Sequence, residues 1–216
     1  MRKIFFLFSV FICLGSFHHV YGQFEQWNEK SNQHTGFYLS MSIGPAFGTI
    51  NNDLISPYKE KFEYDGTGSL FDIKVGGAIK ENFILHATLA STALIGPKVT
   101  SSNSGSGKAS NNLNISESMI GGGVTYYFMP TNVFLSASVG VGSYTITDTK
   151  NDDINGSTDN GFAMQLKIGK EWWISKRWGL GAALTYGKTI VNNSYSGYEE
   201  NLNSNRISIL FNATFN

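Results

Sequence analysis

Cysteine is almost missing from this chain. The only one, Cys13, lies in an apolar stretch near the start, behind Ile12 rather than the small residue that a lipid-attachment site requires. The chain beyond it has no thiol and can form no disulfide. Proline is scarce at 4 residues, and charged residues make up 15% of the chain against 14% aromatics. A disordered chain would carry more charge and fewer aromatics. Charge of one sign is also lacking. Taking Arg2 and Lys3 from the 16 basic residues leaves 14 against 16 acidic, a charge near −2 that offers no footprint for nucleic acid. The apolar run at 4–14 is about 11 residues, well short of the ~20 a membrane-spanning helix needs. No Gly-rich phosphate loop, metal-ligand cluster or long-period repeat stands out, so the sequence points to no cofactor.

What is present begins with a leader. Arg2 and Lys3, the apolar run, and the small residues of Val20-Tyr21-Gly22 predict a signal peptide over 1–22, cut before Gln23. Residues 23–34 are polar around one Trp27 and read as a short periplasmic lead-in.

From 35 to 216 the chain repeats one unit eight times, a stretch of about 10–15 residues with alternating apolar positions. The first, 35–49, sets Phe37, Leu39, Met41, Ile43 and Phe47 against Tyr38, Ser40, Ser42, Ala46 and glycines. The second, 67–80, sets Phe71, Ile73, Val75 and Ile79 against Asp72, Lys74, Gly76 and Ala78. The third, 82–95, places Leu85 and Leu89 opposite His86 and Thr88. Stretches ending near Phe128, Gly142, Trp172 and Gly187 repeat the pattern, and the last, 206–216, alternates Ile207, Ile209, Phe211, Ala213 and Phe215 against Ser208, Leu210, Asn212 and Thr214.

The dressing of the two faces decides what alternation alone leaves open. One face is aliphatic and aromatic; the other is small, polar or charged and rich in glycine. A soluble barrel reverses this, with large apolar residues inside. An unpaired charge facing lipid costs about 2–4 kcal/mol near the midplane, so the charged face must point inward. Connections alternate too: 80–82, 129–132 and 175–177 are tight, whereas 50–66, 97–114, 148–160 and 189–205 read as four long loops. An even strand number puts both termini on the short-turn side. The sequence thus predicts an all-β, eight-stranded antiparallel up-and-down transmembrane β-barrel over 35–216. Its outward aromatics (Phe37, Phe83, Phe128, Trp172, Trp178 and Phe215 at one end; Phe47, Phe162 and Tyr186 at the other) suit two interface girdles.

In strand count, loop asymmetry, leader and terminal strand, 35–216 resembles the eight-stranded outer-membrane barrels, the group that includes the OmpA transmembrane domain and OmpX-like proteins. That resemblance implies the outer membrane of a Gram-negative bacterium, with outer-membrane lipid and the barrel-assembly machinery as partners. Family members typically end in an aromatic residue; here Phe215 is penultimate and Asn216 is last, a departure. The peptidoglycan tethering of full-length OmpA is not carried over.

An eight-stranded barrel is just wide enough for side chains to fill, so inward charges should pair across strands. Asp72, Lys74, Glu117, Lys167, Glu171 and Arg206 are the candidates. His86, the one histidine within a strand, points inward, away from lipid substrate, and suits a lumen residue better than a catalytic base. Asn151-x-Asp153-x-Asn155-Gly156 echoes a calcium loop, but its twelfth position is Phe162 and its flanks are strands. Tyr58, Phe62 and Tyr64 among charges in the first loop, with Tyr195 and Tyr198 in the last, are the candidates for contact with an extracellular partner. The expected function is non-enzymatic: envelope integrity, adhesion or another surface interaction. A lipid-modifying enzyme and a secreted lipocalin-like carrier are the alternatives, the first weakened by the lack of an outward nucleophile, the second by the dressing of the faces.

Overall fold

Strands dominate because the chain alternates β-branched and aromatic residues with small ones, and a pleated ribbon sends successive side chains to opposite faces. A computed structural model describes residues 33–57, 59–151 and 155–216. The leader and all but the end of the lead-in lie outside the described residues. Among the described residues eleven strands form: β1 (Phe37–Ser56), β2 (Glu60–Lys80), β3 (Phe83–Ile95), β4 (Lys98–Ser101), β5 (Gly105–Lys108), β6 (Leu113–Phe128), β7 (Val133–Asp148), β8 (Gly156–Ser157), β9 (Gly161–Trp173), β10 (Trp178–Tyr195) and β11 (Tyr198–Phe215). The eight long strands make a closed antiparallel ring, β1-β2-β3-β6-β7-β9-β10-β11, which β11 closes onto β1 from Leu39↔Phe215 to Ser56↔Glu199. Closure pairs the backbone groups that an open sheet would leave bare, which hydrocarbon cannot tolerate.

The outer surface is apolar where a soluble protein would be wet. Ile43, Leu89, Ile120, Val139, Ile168, Leu184 and Ile209 all point outward and are about half exposed. On β1 the apolar band runs from Phe37 to Phe47, ten steps of ~3.3 Å on a strand tilted ~40°, or about 25 Å of height. A chain of rings borders it at the short-turn end: Phe37–Phe215 at 6.3 Å, Trp178–Phe215 at 5.2 Å, Phe83–Tyr126 at 6.4 Å and Tyr126–Phe128 at 4.9 Å.

Two features depart from the sequence reading. Of the four long loops predicted, 50–66 and 189–205 are not loops. β1 and β2 stay paired to Leu54↔Glu60, and β10 and β11 to Tyr195↔Tyr198, so the strands run through most of both stretches. Beyond the belt both faces of a strand can be polar, so no apolar alternation marks it. The other two connections carry short strands: β4 pairs β2 and β5 pairs β4, while β8 pairs β7. A standing sheet, β5-β4-β2-β1-β11-β10, therefore rises above the belt. The inward face is also less small and polar than the sequence suggests. Leu70, Ile84, Met119, Tyr127, Phe134, Tyr144 and Leu210 are fully buried inside, with the Phe134 ring lying against Gly169.

Candidate functional site

The interior is built in layers. Near the middle, the Asp72 carboxylate receives Lys167 Nζ at 2.8 Å and faces Lys74 Nζ at 3.8 Å. Lys74 donates to Gln165 Oε1 at 2.8 Å and Ser138 Oγ at 3.1 Å; Lys167 also donates to Ser42 Oγ at 2.9 Å. Towards the short turns, Glu171 Oε1 accepts from Thr214 at 2.7 Å, Asn212 and the Tyr127 hydroxyl. Towards the loop end, Arg206 and Thr189 both donate to Glu117 Oε1. The structure brings the six charges the sequence singled out into one lumen as three acids and three bases. Buried ions are tolerable when paired and hydrogen-bonded; five of the six are ion-paired, whereas Glu171 is held by neutral donors alone. Arg206 Nε and Thr92 Oγ1 have no protein partner and flank a void of about 10 Å³, roughly the room of one water molecule.

A seal at the short-turn end escaped sequence reading. His34, fully buried, closes the barrel from below. Its ring stacks on Tyr127 at 3.4 Å between centroids and meets Trp173 at 4.8 Å. Its nitrogens meet the side-chain amides of Asn132 and Asn216 at 2.8 and 2.9 Å. Burial holds its imidazole below the ordinary 6.5. A neutral ring donates through one nitrogen and accepts through the other, so one of the two amides turns its NH₂ towards it. Asn82 completes the clasp: its Oδ1 accepts from the His34 N–H at 3.0 Å and its own N–H donates to His34 O at 2.9 Å. Asn82 and Asn132 have φ of 64° and 52°, left-handed turn positions that asparagine tolerates well. The tight turns thus also hold the seal. Phe215 faces out against Phe37 and Trp178, while Asn216 faces in and holds His34.

At the other end a second apolar layer shuts the lumen: Ile50, Leu94, Ile115, Tyr144, Val191 and Leu202 pack together under Tyr64 and Ile146. Phe62 and Tyr64, singled out as contact residues, stand half-buried on the inner side of β2, their rings 6.4 Å apart. Tyr58 lies outside the described residues. Tyr195 and Tyr198 face each other across the Ser196-Gly197 turn and are 75% and 50% exposed, prominent for such large rings. Behind them Glu200 accepts from Asn52 and Asn193 at 2.7 and 2.8 Å, stiffening the tip.

His86 bonds Thr88 Oγ1 at 3.1 Å and Thr125 Oγ1 at 3.0 Å, with no acid among these partners. Of the calcium-loop echo, Asp152 and Asp153 lie outside the described residues.

A closed ring of eight antiparallel strands, apolar outside and packed inside, is the fold of the small eight-stranded outer-membrane β-barrels. A solved structure shares this fold at a TM-score above 0.5, and two more match less fully. Neisserial surface protein A matches over 84% of this chain and 97% of its own, at 14% identity and a TM-score of 0.52. The outer membrane protein OprG from Pseudomonas aeruginosa matches over 84% and 97%, at 14% identity and a TM-score of 0.49. The outer membrane protease OmpT from Escherichia coli matches over 83% and 96%, at 8% identity and a TM-score of 0.46. No family model matches the chain, and neither does any curated protein. At such identities the likeness is one of fold.

Proposed function

We propose that this protein is a non-enzymatic barrel of the Gram-negative outer membrane that works through its standing extracellular sheet, in adhesion, surface protection or envelope integrity. The observation that carries this reading is the pairing of a shut lumen with a stiff hairpin that displays Tyr195 and Tyr198 in solvent. A conduit needs an open axis, and a lipid enzyme needs a nucleophile and base at the lipid face; His86 is enclosed instead. Tyrosines on a rigid support lose little freedom on binding and suit a protein or glycan contact.

The test has two stages. The outer-membrane fraction is run on SDS gels with and without boiling, where a folded membrane barrel changes mobility. Cells carrying the wild type and a Tyr195→Ser/Tyr198→Ser variant at equal surface level are then compared for autoaggregation and adhesion to an extracellular-matrix coat. A several-fold loss in the variant supports the reading; equal behaviour in both assays overturns the role of this hairpin.

A further inference from the structure

On the lipid-facing wall, a groove of about 500 Å³ runs over β6, β7, β9 and β10. Its floor is Ala137, and its sides include Tyr126, Leu135, Ile168, Leu184 and Tyr186. The groove arises because Ala137 stands among large neighbours: it pairs across to Val124 and Leu166, with Leu135 below it.

At the short-turn end of this groove the surface changes character. Lys170 follows Ile168 on the outer face of β9, between Val133 and Ala182 on the neighbouring strands. Its ammonium lies 5.7 Å from the centre of the Trp172 ring, a cation–π contact at the level where interfacial tryptophans belong. The adjoining turn adds the exposed Lys176 and Arg177, and Ser175 Oγ braces it by accepting from the N–H groups of Arg177 and Trp178 at 3.3 and 3.1 Å. Over 170–178 every outward charge is basic, because the only acid, Glu171, is turned inward and bound there.

An apolar slot ending at a cation and an indole at the membrane interface matches the shape of an anionic phospholipid. We propose that this wall holds one such lipid of the periplasmic leaflet, an acyl chain lying over Ala137 and the phosphate on Lys170. The inference rests on the outer-membrane reading, which fixes the short turns on the periplasmic side. A zwitterionic lipid fills the slot equally well but brings its own cation to Lys170, so the site distinguishes headgroups by charge. One lysine near an anionic surface is worth about a five-fold preference.

The test reconstitutes the full barrel in vesicles of phosphatidylglycerol and phosphatidylethanolamine in equal parts. The protein is extracted into mild detergent, and its retained lipids are counted by native mass spectrometry. The wild type is expected to keep phosphatidylglycerol about five-fold over its share, and Lys170→Gln to bring that ratio close to one. Ala137→Phe is expected to lower retention of both lipids by filling the slot. No enrichment in the wild type, or enrichment unchanged in Lys170→Gln, overturns the headgroup site; unchanged retention in Ala137→Phe overturns the slot. Every sample is also run with and without boiling. A wild type that never gains a heat-sensitive folded band refutes the membrane reading itself, whereas a folded barrel without lipid preference refutes only the site.

Discussion

Glu117 and Arg206 meet across the lumen from β6 and β11, strands that are not neighbours in the ring. Gly187 makes the room: a β-carbon there would fall 2.7 Å from the guanidinium. Cutting one partner from such a pair leaves a buried ion alone, at a cost of about 3–5 kcal/mol. Arg206→Leu is therefore expected to lower the urea midpoint of the folded band sharply, and Glu117→Gln in the same chain to restore most of it. A single variant as stable as the wild type contradicts the pairing. His34 gives this scale a pH dependence. Its folded value lies below 6.5, so above pH 6.5 both folded and unfolded chains are neutral at this ring and the seal contributes fully. As pH falls through 6.5 the unfolded chain takes up a proton first, and stability drains away until the folded value is reached. Melting temperatures between pH 8 and pH 5 should fall further for the wild type than for His34→Gln; parallel curves would show that this histidine carries none of the dependence.

Within the belt, each strand announced itself because lipid outside and a packed lumen inside impose strict alternation. Val139 and Ser138 show how sharp that is. Val139 faces outward near the middle of the belt, and Val139→Arg is expected to cost about 2–4 kcal/mol. Ser138 lies 3.1 Å from Lys74 Nζ, so a carboxylate from Ser138→Asp finds a cation waiting and costs less. Folding yield into vesicles measures both, and equal yields would contradict the orientation of β7. Above the belt the same strands fell silent. The paired run Asn51-Asn52-Asp53 against Lys61-Phe62-Glu63 holds a single apolar residue, Phe62, too few to show a period, and its register is held by backbone hydrogen bonds. The turn between β10 and β11, Ser196-Gly197 with φ of 47° and 86°, lies inside the stretch read as a long loop, and alternation alone does not mark it. His34 gave no signal: it sits in a polar stretch with no period, and its partners Asn82, Asn132 and Asn216 come from three separate places in the chain.

Taken as a whole molecule, the barrel is a column with two plugs. His34, Tyr127 and Phe134 shut the short-turn end, the Ile50–Leu94–Ile115 layer shuts the loop end, and a balanced set of six charges lies between them. Charges on the axis do not make a pathway when apolar layers bar both mouths, because an ion would have to shed its water to enter. The barrel in a planar bilayer is therefore expected to show no single-channel conductance. The chain offers a second and independent measurement, since its one cysteine, Cys13, lies outside the barrel strands and a Cys13→Ser background leaves any new thiol to report alone. Thr88→Cys, buried beside Ser138 at 2.9 Å, should resist a water-soluble maleimide until the sample is boiled. Tyr195→Cys at the hairpin tip should react at once. Rapid labelling at 88 in the folded protein, or steady conductance, would mean that water reaches the charged layer. The lumen would then be a route, and the standing sheet would no longer be the working part of the molecule.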